Sequence, residues 1–271
     1  MPLPIPWSAE AFNPVPESEN RIHADDVARA YGFRGGLVPG VVVSAYLLHP
    51  AAVAWGIGFV ARGKAHVRVA SPVYDAERFE VDVFGATDHT YAARLVDPHG
   101  VVCATGDVAL PPEPPPPPRR RGDPWLERDA TRPRATRETL EELRESGLAA
   151  MHTRWSDRAE ITGYLRDAAE MAPVFRETRV ATPAFVLGLT NWVLAGNVRM
   201  PAWLHLETES QFFAAIAPDT ELVAEAAIVD LFEKKGHSFV DVDVNVFGAQ
   251  DDAARAQVRL RAIYQLREAR T

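Results

Sequence analysis

The chain has 271 residues, of which 47% are hydrophobic and 24% are charged. This composition is typical of a folded globular protein and excludes an intrinsically disordered one. Its 29 Lys and Arg residues against 37 Asp and Glu residues give a net charge of −8, which disfavours a nucleic-acid-binding protein.

Cysteine usage and the first residues restrict the class of protein further. A single cysteine, Cys103, excludes an internal disulfide and a cysteine-based zinc cluster. His49, Pro50 and Arg62 interrupt the most apolar stretch, so we expect no membrane span. The first residues lack a basic head followed by an apolar run, so we expect no secretory signal. These features predict a cytoplasmic protein.

The first half predicts one apolar segment followed by four strands. Pro39 and Gly40 lie near the start of the segment 37–55, and a proline in the first turn favours a helix. The valine triplet 41–43 favours a strand instead, so this segment alone is ambiguous. Alternation of apolar and polar residues then predicts four strands, separated by turn signals, near residues 66–69, 79–83, 91–96 and 101–110.

A proline-rich segment separates the two halves. Seven of the eight residues 111–118 are prolines, and Arg119, Arg120 and Arg121 follow them. Polyproline joins neither a sheet nor a helix interior, so we expect an extended spacer, with a ligand for a proline-binding module as the alternative. A short charged helix is predicted within 135–150. We therefore divide the chain into 1–110, a linker of 111–150, and 151–271.

The second half repeats the order of the first. Thr182 and Pro183 open an apolar segment that ends near residue 198, and four strands are predicted at 203–213, 220–232, 238–247 and 256–266. Pro39 and Pro183 are 144 residues apart, and Pro72 and Pro218 are 146 apart. The chain is therefore interpreted as an internal duplication.

A motif before the first apolar segment resembles a known family. The residues are Asn20-Arg-Ile-His23-Ala-Asp25, then Gly32-Phe33, then Pro39-Gly40 at the start of the helix. They are similar to the MaoC-like hydratase/dehydratase pattern Gly-Asp-x-Asn-Pro-Ile-His-x-Asp, followed by Gly-Phe and His-Gly. The resemblance implies an α+β double hotdog, in which two tandem repeats each wrap an antiparallel sheet around a long central helix.

The resemblance also implies roles for individual residues. His23 would be the catalytic acid and base, Asn20 its motif neighbour, and the Gly40 amide a donor to the thioester oxygen. Residues around the start of the helix would bind the substrate: Gly36, Val38, Pro39 and Val41.

The motif departs from the family where the catalytic aspartate belongs. Ser18 occupies that position, and a serine does not act as a carboxylate at neutral pH. Glu17 or Glu19 would have to substitute, although neighbours in an extended segment point to opposite sides. Hydrogen-bonding roles without catalysis stay open for His23, and Asp25 is most simply a helix N-cap.

The second half lacks a histidine motif of this kind. The repeat places Asp167 opposite His23, so this half is predicted to be non-catalytic. His205 would either face the pocket together with Asn191 or be an ordinary, hydrogen-bonded histidine of the sheet. Trp192, Trp203 and Phe212 are candidates for shortening an acyl tunnel between the halves, and the arginines 119–121 for meeting a phosphate or an acidic carrier protein.

Three functions follow from the resemblance. The first is a lyase, a hydratase/dehydratase acting on enoyl or 3-hydroxyacyl thioesters of coenzyme A or an acyl carrier protein. The alternatives are an acyl-CoA thioesterase and a non-catalytic acyl-thioester-binding protein. We expect no cofactor, no metal, no nucleic acid and no membrane as partners. Exposed strand edges favour a homodimer.

Overall fold

The computed structural model describes residues 1–127, 131–156 and 163–267. The first half contains β1 (Trp7–Glu10), a 3-10 turn (Arg21–His23), α1 (Asp25–Ala30), α2 (Gly40–Arg62), β2 (Lys64–Val69), β3 (Arg78–Phe84), β4 (Thr90–Val96) and β5 (Val102–Ala109). The second half contains α3 (Arg137–Ser146), β6 (Met151–Arg154), a 3-10 turn (Ala168–Glu170), α4 (Pro173–Thr178), α5 (Pro183–Asn197), β7 (Leu204–Phe212), β8 (Glu221–Lys234), β9 (His237–Gly248) and β10 (Ala254–Gln265). The predicted order, a long helix followed by four strands, is present in both halves.

The strands of the described residues form one antiparallel sheet. Its order is β1-β3-β4-β5-β2-β7-β10-β9-β8-β6, so the two halves join where β2 pairs with β7. Val67 is opposite Thr208 in that ladder. The outermost strands, β1 and β6, are four residues long and were not predicted. Short edges of this kind limit pairing with other chains.

The two long helices form the core against this sheet. α2 packs against β2, β4 and β5, and also against β7 and α5 of the other half. The triplet Val41, Val42 and Val43 is buried on this helix, as are most residues of its first four turns. A helix that is apolar on all sides needs such enclosure. Enclosure by the sheet therefore explains why this segment is a helix, although its valines favour a strand.

α2 extends to Arg62, beyond the predicted segment 37–55, and contains His49 and Pro50. Both are buried inside the helix, and the His49 ring stacks on Trp7 with 3.9 Å between ring centroids. At Gly56 the backbone leaves helical geometry with a φ of 52°. By length and composition α2 is able to cross a membrane, but 78% of its most apolar window is buried within the protein. This is the environment of a core helix.

The linker is exposed along its prolines and fixed at both ends. Arg62 Nε donates to the carbonyl oxygen of Pro111 at 3.1 Å. At the other end, the buried carboxylate of Glu225 on β8 accepts the backbone N–H groups of Arg121 at 2.7 Å and Gly122 at 2.9 Å. α3 then begins after Thr136, whose hydroxyl accepts the N–H of Thr139. The three segment boundaries drawn from the sequence stay a prediction.

Candidate active site

Two adjoining cavities lie between the halves, next to the start of α2. The larger has a volume of about 730 Å³ and the smaller about 120 Å³. Residues from both halves line both of them, namely Asn20, His23, Pro39, Asn191 and Trp203. The motif histidine therefore lies where the two cavities meet, and the larger one has the size of a small-molecule site.

Both ring nitrogens of His23 have hydrogen-bond partners. Nδ1 lies 2.6 Å from the carbonyl oxygen of Leu37. A carbonyl oxygen only accepts, so Nδ1 carries the proton and Nε2 holds the lone pair. Nε2 accepts from Nδ2 of Asn20 at 3.2 Å. Burial lowers the pKa of His23 below its ordinary value of 6.5 and outweighs the raising effect of the Leu37 hydrogen bond. The neutral ring is the form that takes up a proton.

Asn20 joins the motif to the second half. Its Oδ1 accepts the backbone N–H of Trp203 at 3.1 Å, and its Nδ2 donates to the carbonyl oxygen of Trp203 at 3.1 Å. This pair of bonds determines which end of the amide is the donor, so Nδ2 is the atom that faces His23. The motif asparagine thus orients the histidine and ties the loop to the residue before β7.

The first turn of α2 supplies free backbone donors. Within the described part of the chain, the N–H groups of Gly40 and Val41 have no hydrogen-bond acceptor, as expected for the first amides of a helix. Gly40 lines the smaller cavity and Val41 the larger. The positive end of the helix dipole favours negative charge there. A Cβ at Gly40 would lie 2.6 Å from the carbonyl oxygen of His205, so only glycine fits between α2 and β7.

The acidic candidates near the motif lie apart from His23 or have other partners. The Ser18 hydroxyl donates to the carbonyl oxygen of Asn20 at 3.1 Å, which places it in the turn. Glu19 lines the larger cavity and accepts from both terminal nitrogens of Arg132, at 2.8 and 3.1 Å. The hydrogen bond from Arg132 lowers the pKa of Glu19. Glu17 is exposed and outside both cavities. Among the described residues, none of these places a free carboxylate beside His23.

Three of the four predicted substrate-binding residues line the cavities: Val38, Pro39 and Val41. Gly36 does not, because it lies behind His23, where an added Cβ would be 2.2 Å from the His23 carbonyl oxygen. Its N–H donates to Oδ1 of Asp25 at 2.9 Å. The N-cap prediction for Asp25 is wrong: α1 begins after Ala24, and Asp25 fastens the Gly36 loop instead.

The second half contributes a histidine and an asparagine to the site. His205 lines the smaller cavity, and its Nδ1 lies 2.9 Å from Oδ1 of Asn191, which lines both cavities. Burial lowers the pKa of His205 to about 3. Asp167, the position that the repeat places opposite His23, is exposed and caps a 3-10 turn. Alternation along β7 was the sequence signal for His205, but it does not show which pocket the side chain faces.

The aromatic candidates separate into two groups. Trp192 and Trp203 line the larger cavity, and Trp192 is 40% exposed at its wall. Phe212 lies outside it and packs edge-on against Phe59, with 5.8 Å between ring centroids. The linker arginines are also elsewhere, since Arg120 pairs with Asp252. Of the three aromatic candidates, Trp192 and Trp203 therefore lie at the larger cavity and Phe212 does not.

Two further groups of reactive side chains lie outside the cavities. Cys103 is buried, and burial raises the pKa of its thiol to about 11. His66, Glu207 and Glu209 lie within 4.8 Å of one another, a group that the sequence did not reveal. Arg68 already donates to Glu207 at 2.8 Å, as does Arg261 at 3.2 Å. These cations disfavour a metal ion there.

Solved structures with the same architecture match nearly the whole chain. A conserved hypothetical protein from Mycobacterium tuberculosis, described as having a double hotdog fold, is 14% identical, with 96% of each chain covered and a TM-score of 0.58. The chain has a double-hotdog fold. A MaoC domain protein from Chloroflexus aurantiacus, named as a candidate dehydratase, is 11% identical, with 96% of this chain and 95% of that chain covered and a TM-score of 0.59.

A candidate oleoyl thioesterase from Lactobacillus plantarum is similar as well, at 11% identity, 97% coverage of both chains and a TM-score of 0.51. No protein-family model matches the sequence. No curated protein matches it either. Structures named for two different activities are thus similar to this chain, so the fold alone does not identify an activity.

Proposed function

We propose that this double-hotdog protein is a hydratase/dehydratase of enoyl and 3-hydroxyacyl thioesters, with His23 as its proton carrier. One observation carries the proposal: His23, whose Nε2 holds the ring's lone pair, lines the same cavity as Gly40, whose amide is free at the start of α2. A proton carrier and oxyanion donors are the two requirements of this reaction.

A single histidine is sufficient for the proton transfers. In hydration, a water molecule replaces Nδ2 of Asn20 at Nε2 of His23 and gives its proton to this nitrogen, while the hydroxide oxygen bonds to Cβ and the electron pair of the double bond moves toward the thioester oxygen. The amides of Gly40 and Val41 stabilise the negative charge on that oxygen. The imidazolium then returns its proton to Cα, which restores the thioester carbonyl and the neutral histidine. Dehydration is the reverse.

The cavity supports an acyl thioester as the substrate. Its walls are largely apolar, with Phe185, Trp192 and Met200 from the second half. Polar side chains of Asn20, His23 and Asn191 lie where the cavities meet, and the charged side chains of Glu19, Arg132 and Arg199 line the larger cavity. Such a site takes an apolar chain with one reactive polar end. Names of the similar structures, a MaoC domain dehydratase and an oleoyl thioesterase, agree with an acyl substrate.

In this proposal Glu19 holds Arg132 at the cavity wall, and Ser18 shapes the turn. No cofactor is required, because every proton and electron pair of the reaction is accounted for by water, substrate and His23. The carrier, coenzyme A or an acyl carrier protein, stays a prediction, as do the cytoplasmic location and the homodimer.

A two-channel assay with trans-2-enoyl thioesters of short and medium length tests the proposal. We expect loss of enone absorbance without release of free thiol. General acid–base catalysis contributes about 10²- to 10⁴-fold, so His23→Ala is expected to reduce the rate at least 100-fold. His99→Ala, at an exposed turn residue, is the matched control and is expected to retain the rate.

Each other outcome replaces the proposal with a named alternative. Thiol release that depends on His23 would make the protein a thioesterase. An absence of both signals, with thioester binding retained, would make it a non-catalytic binding protein. Equal rates for the wild type and His23→Ala would remove His23 from the mechanism.

A further inference from the structure

Among the described residues, only the oxygen of the Asn191 side-chain amide has a hydrogen-bond partner. Asn191 lies on α5, where the two cavities meet, and its Oδ1 faces Nδ1 of His205 at 2.9 Å. Its Nδ2 has no acceptor among the described residues. Two N–H donors are therefore available to a ligand in the same cavities as His23.

A buried chain of hydrogen bonds determines this orientation. Because Oδ1 of Asn191 only accepts, Nδ1 of His205 carries the proton, and Nε2 of His205 accepts from the hydroxyl of Thr208. His205 and Thr208 are both buried. The hydrogen bond to Thr208 holds the His205 ring in place, and His205 holds the oxygen of the Asn191 amide away from the cavity. The amide nitrogen is left to face it.

In the proposed reaction, one polar group of the substrate has no hydrogen-bond donor from the first half of the chain. The oxygen on Cβ, which is water in hydration and the 3-hydroxyl in dehydration, gives its proton to His23 but also requires a donor to position it. Ser18 does not provide one, since its hydroxyl donates to Asn20. Asn191 approaches the same cavities from the opposite half.

We infer that Nδ2 of Asn191 donates a hydrogen bond to the oxygen on Cβ of the substrate and positions it against Nε2 of His23. The inference rests on the proposed function and deepens it: Asn191 becomes a catalytic residue of the second half, and Thr208 and His205 become positioning residues. The half that lacks the sequence motif would then contribute directly to the reaction.

A comparison of two ligands tests this without turnover. Binding of each enantiomer of 3-hydroxyhexanoyl-CoA and of hexanoyl-CoA, which lacks the hydroxyl, is measured by titration calorimetry. One hydrogen bond to a neutral group corresponds to roughly three- to tenfold tighter binding of one hydroxy enantiomer. We expect this preference in the wild type and its loss in Asn191→Ala and in Asn191→Asp, which has the same size but no N–H.

The positioning residues have a matched pair of variants. Thr208→Val keeps the shape of the side chain and removes the hydrogen bond that holds the His205 ring against Asn191, so the preference for the hydroxy ligand should fall. Thr208→Ser restores a hydroxyl and should restore the preference. A purely structural role of Thr208 would change the affinities for both ligands together. Thermal unfolding of each variant establishes that it is folded.

The outcomes separate this inference from the proposed function. Turnover of enoyl thioesters without any hydroxyl preference would overturn the role of Asn191 and leave the hydratase intact. A preference that depends on Asn191 without turnover would support the role of Asn191 and overturn the hydratase. A preference that persists in both Asn191 variants, or binding of neither ligand, would overturn the inference.

Discussion

Nδ1 of His23 lies 2.6 Å from the carbonyl oxygen of Leu37, just before α2 begins at Gly40. The loop that orients the histidine is therefore continuous with the helix whose first amides are free. Since one short segment connects the two, a displacement of the loop changes the position of His23 relative to these amides, which are the base and the oxyanion donors of the proposed reaction. Catalysis is sensitive to such displacements.

The pH dependence of activity should reflect the burial of His23. Its neutral form accepts the proton, so activity is lost as the pH falls through the pKa of His23. Burial lowers that pKa below 6.5. We therefore expect kcat/KM for enoyl thioester hydration to exceed half of its plateau at pH 6.5. A pH–rate profile measures this, and an acid midpoint at or above pH 6.5 would contradict the assignment.

Gly36→Ala should disturb His23 from behind. The new Cβ would lie 2.2 Å from the His23 carbonyl oxygen and 2.8 Å from its carbonyl carbon, so the backbone of His23 must move. A shift of about 1 Å costs about 100-fold in rate. Gly58→Ala is the control, because its Cβ would meet only the Arg62 guanidinium, at 3.6 Å. Similar kcat values for the two variants would refute this role of Gly36.

Acid should destabilise the fold through two buried histidines. Burial lowers the pKa of His49 to about 4 and of His205 to about 3, below the ordinary value of 6.5. Between pH 6.5 and these values the unfolded chain binds more protons, so stability falls as pH falls, by up to about 1.4 kcal/mol per unit for each histidine. Above pH 6.5 neither histidine makes stability depend on pH.

Urea unfolding at a series of pH values measures this slope. His49→Gln keeps a polar partner for the hydroxyl of Tyr164, which lies 2.7 Å from Nδ1 of His49, and removes the titrating ring. The variant should therefore show a shallower loss of stability below pH 6.5 than the wild type. Parallel curves for the two proteins would show that His49 does not titrate in this range.

Glu225→Gln should release the linker from the sheet. Burial raises the pKa of Glu225, but hydrogen bonds from the backbone N–H groups of Arg121, Gly122 and Asp123 hold it below its ordinary value. A glutamine accepts with one oxygen only and leaves an N–H donor unpaired, at a cost of about 1–3 kcal/mol. Limited proteolysis should cut the variant faster near residues 111–127.

Glu233→Gln, at an exposed position of the same strand, is the control for this experiment. It should match the wild type both in unfolding free energy and in the rate of cleavage. If Glu225→Gln were cleaved no faster than Glu233→Gln, the anchoring of the linker by Glu225 would be disproved.

Local patterns in the sequence were sufficient to predict most of the helices and strands, and the part of the candidate site that lies in the first half of the chain. Val240, Val242, Val244 and Val246 alternate with polar residues, and this period of two predicts β9 from neighbours alone. The spacing of Asn20, His23 and Gly40 identified the histidine and the helix start, because these residues belong to one short segment. In such cases the interacting groups are close in the chain.

The tertiary structure decided the features that depend on residues far apart in the chain. The valines 41–43 form a helix because the sheet encloses them. Asn20 is oriented by Trp203 across the junction of the halves, and Glu19 is paired with Arg132. Asn191 reaches the site because α5 packs against α2 of the other half, and His205 on β7 hydrogen-bonds its amide oxygen. Hydrophobic periodicity records which side of an element is buried but not which distant element covers it, and that pairing creates the site.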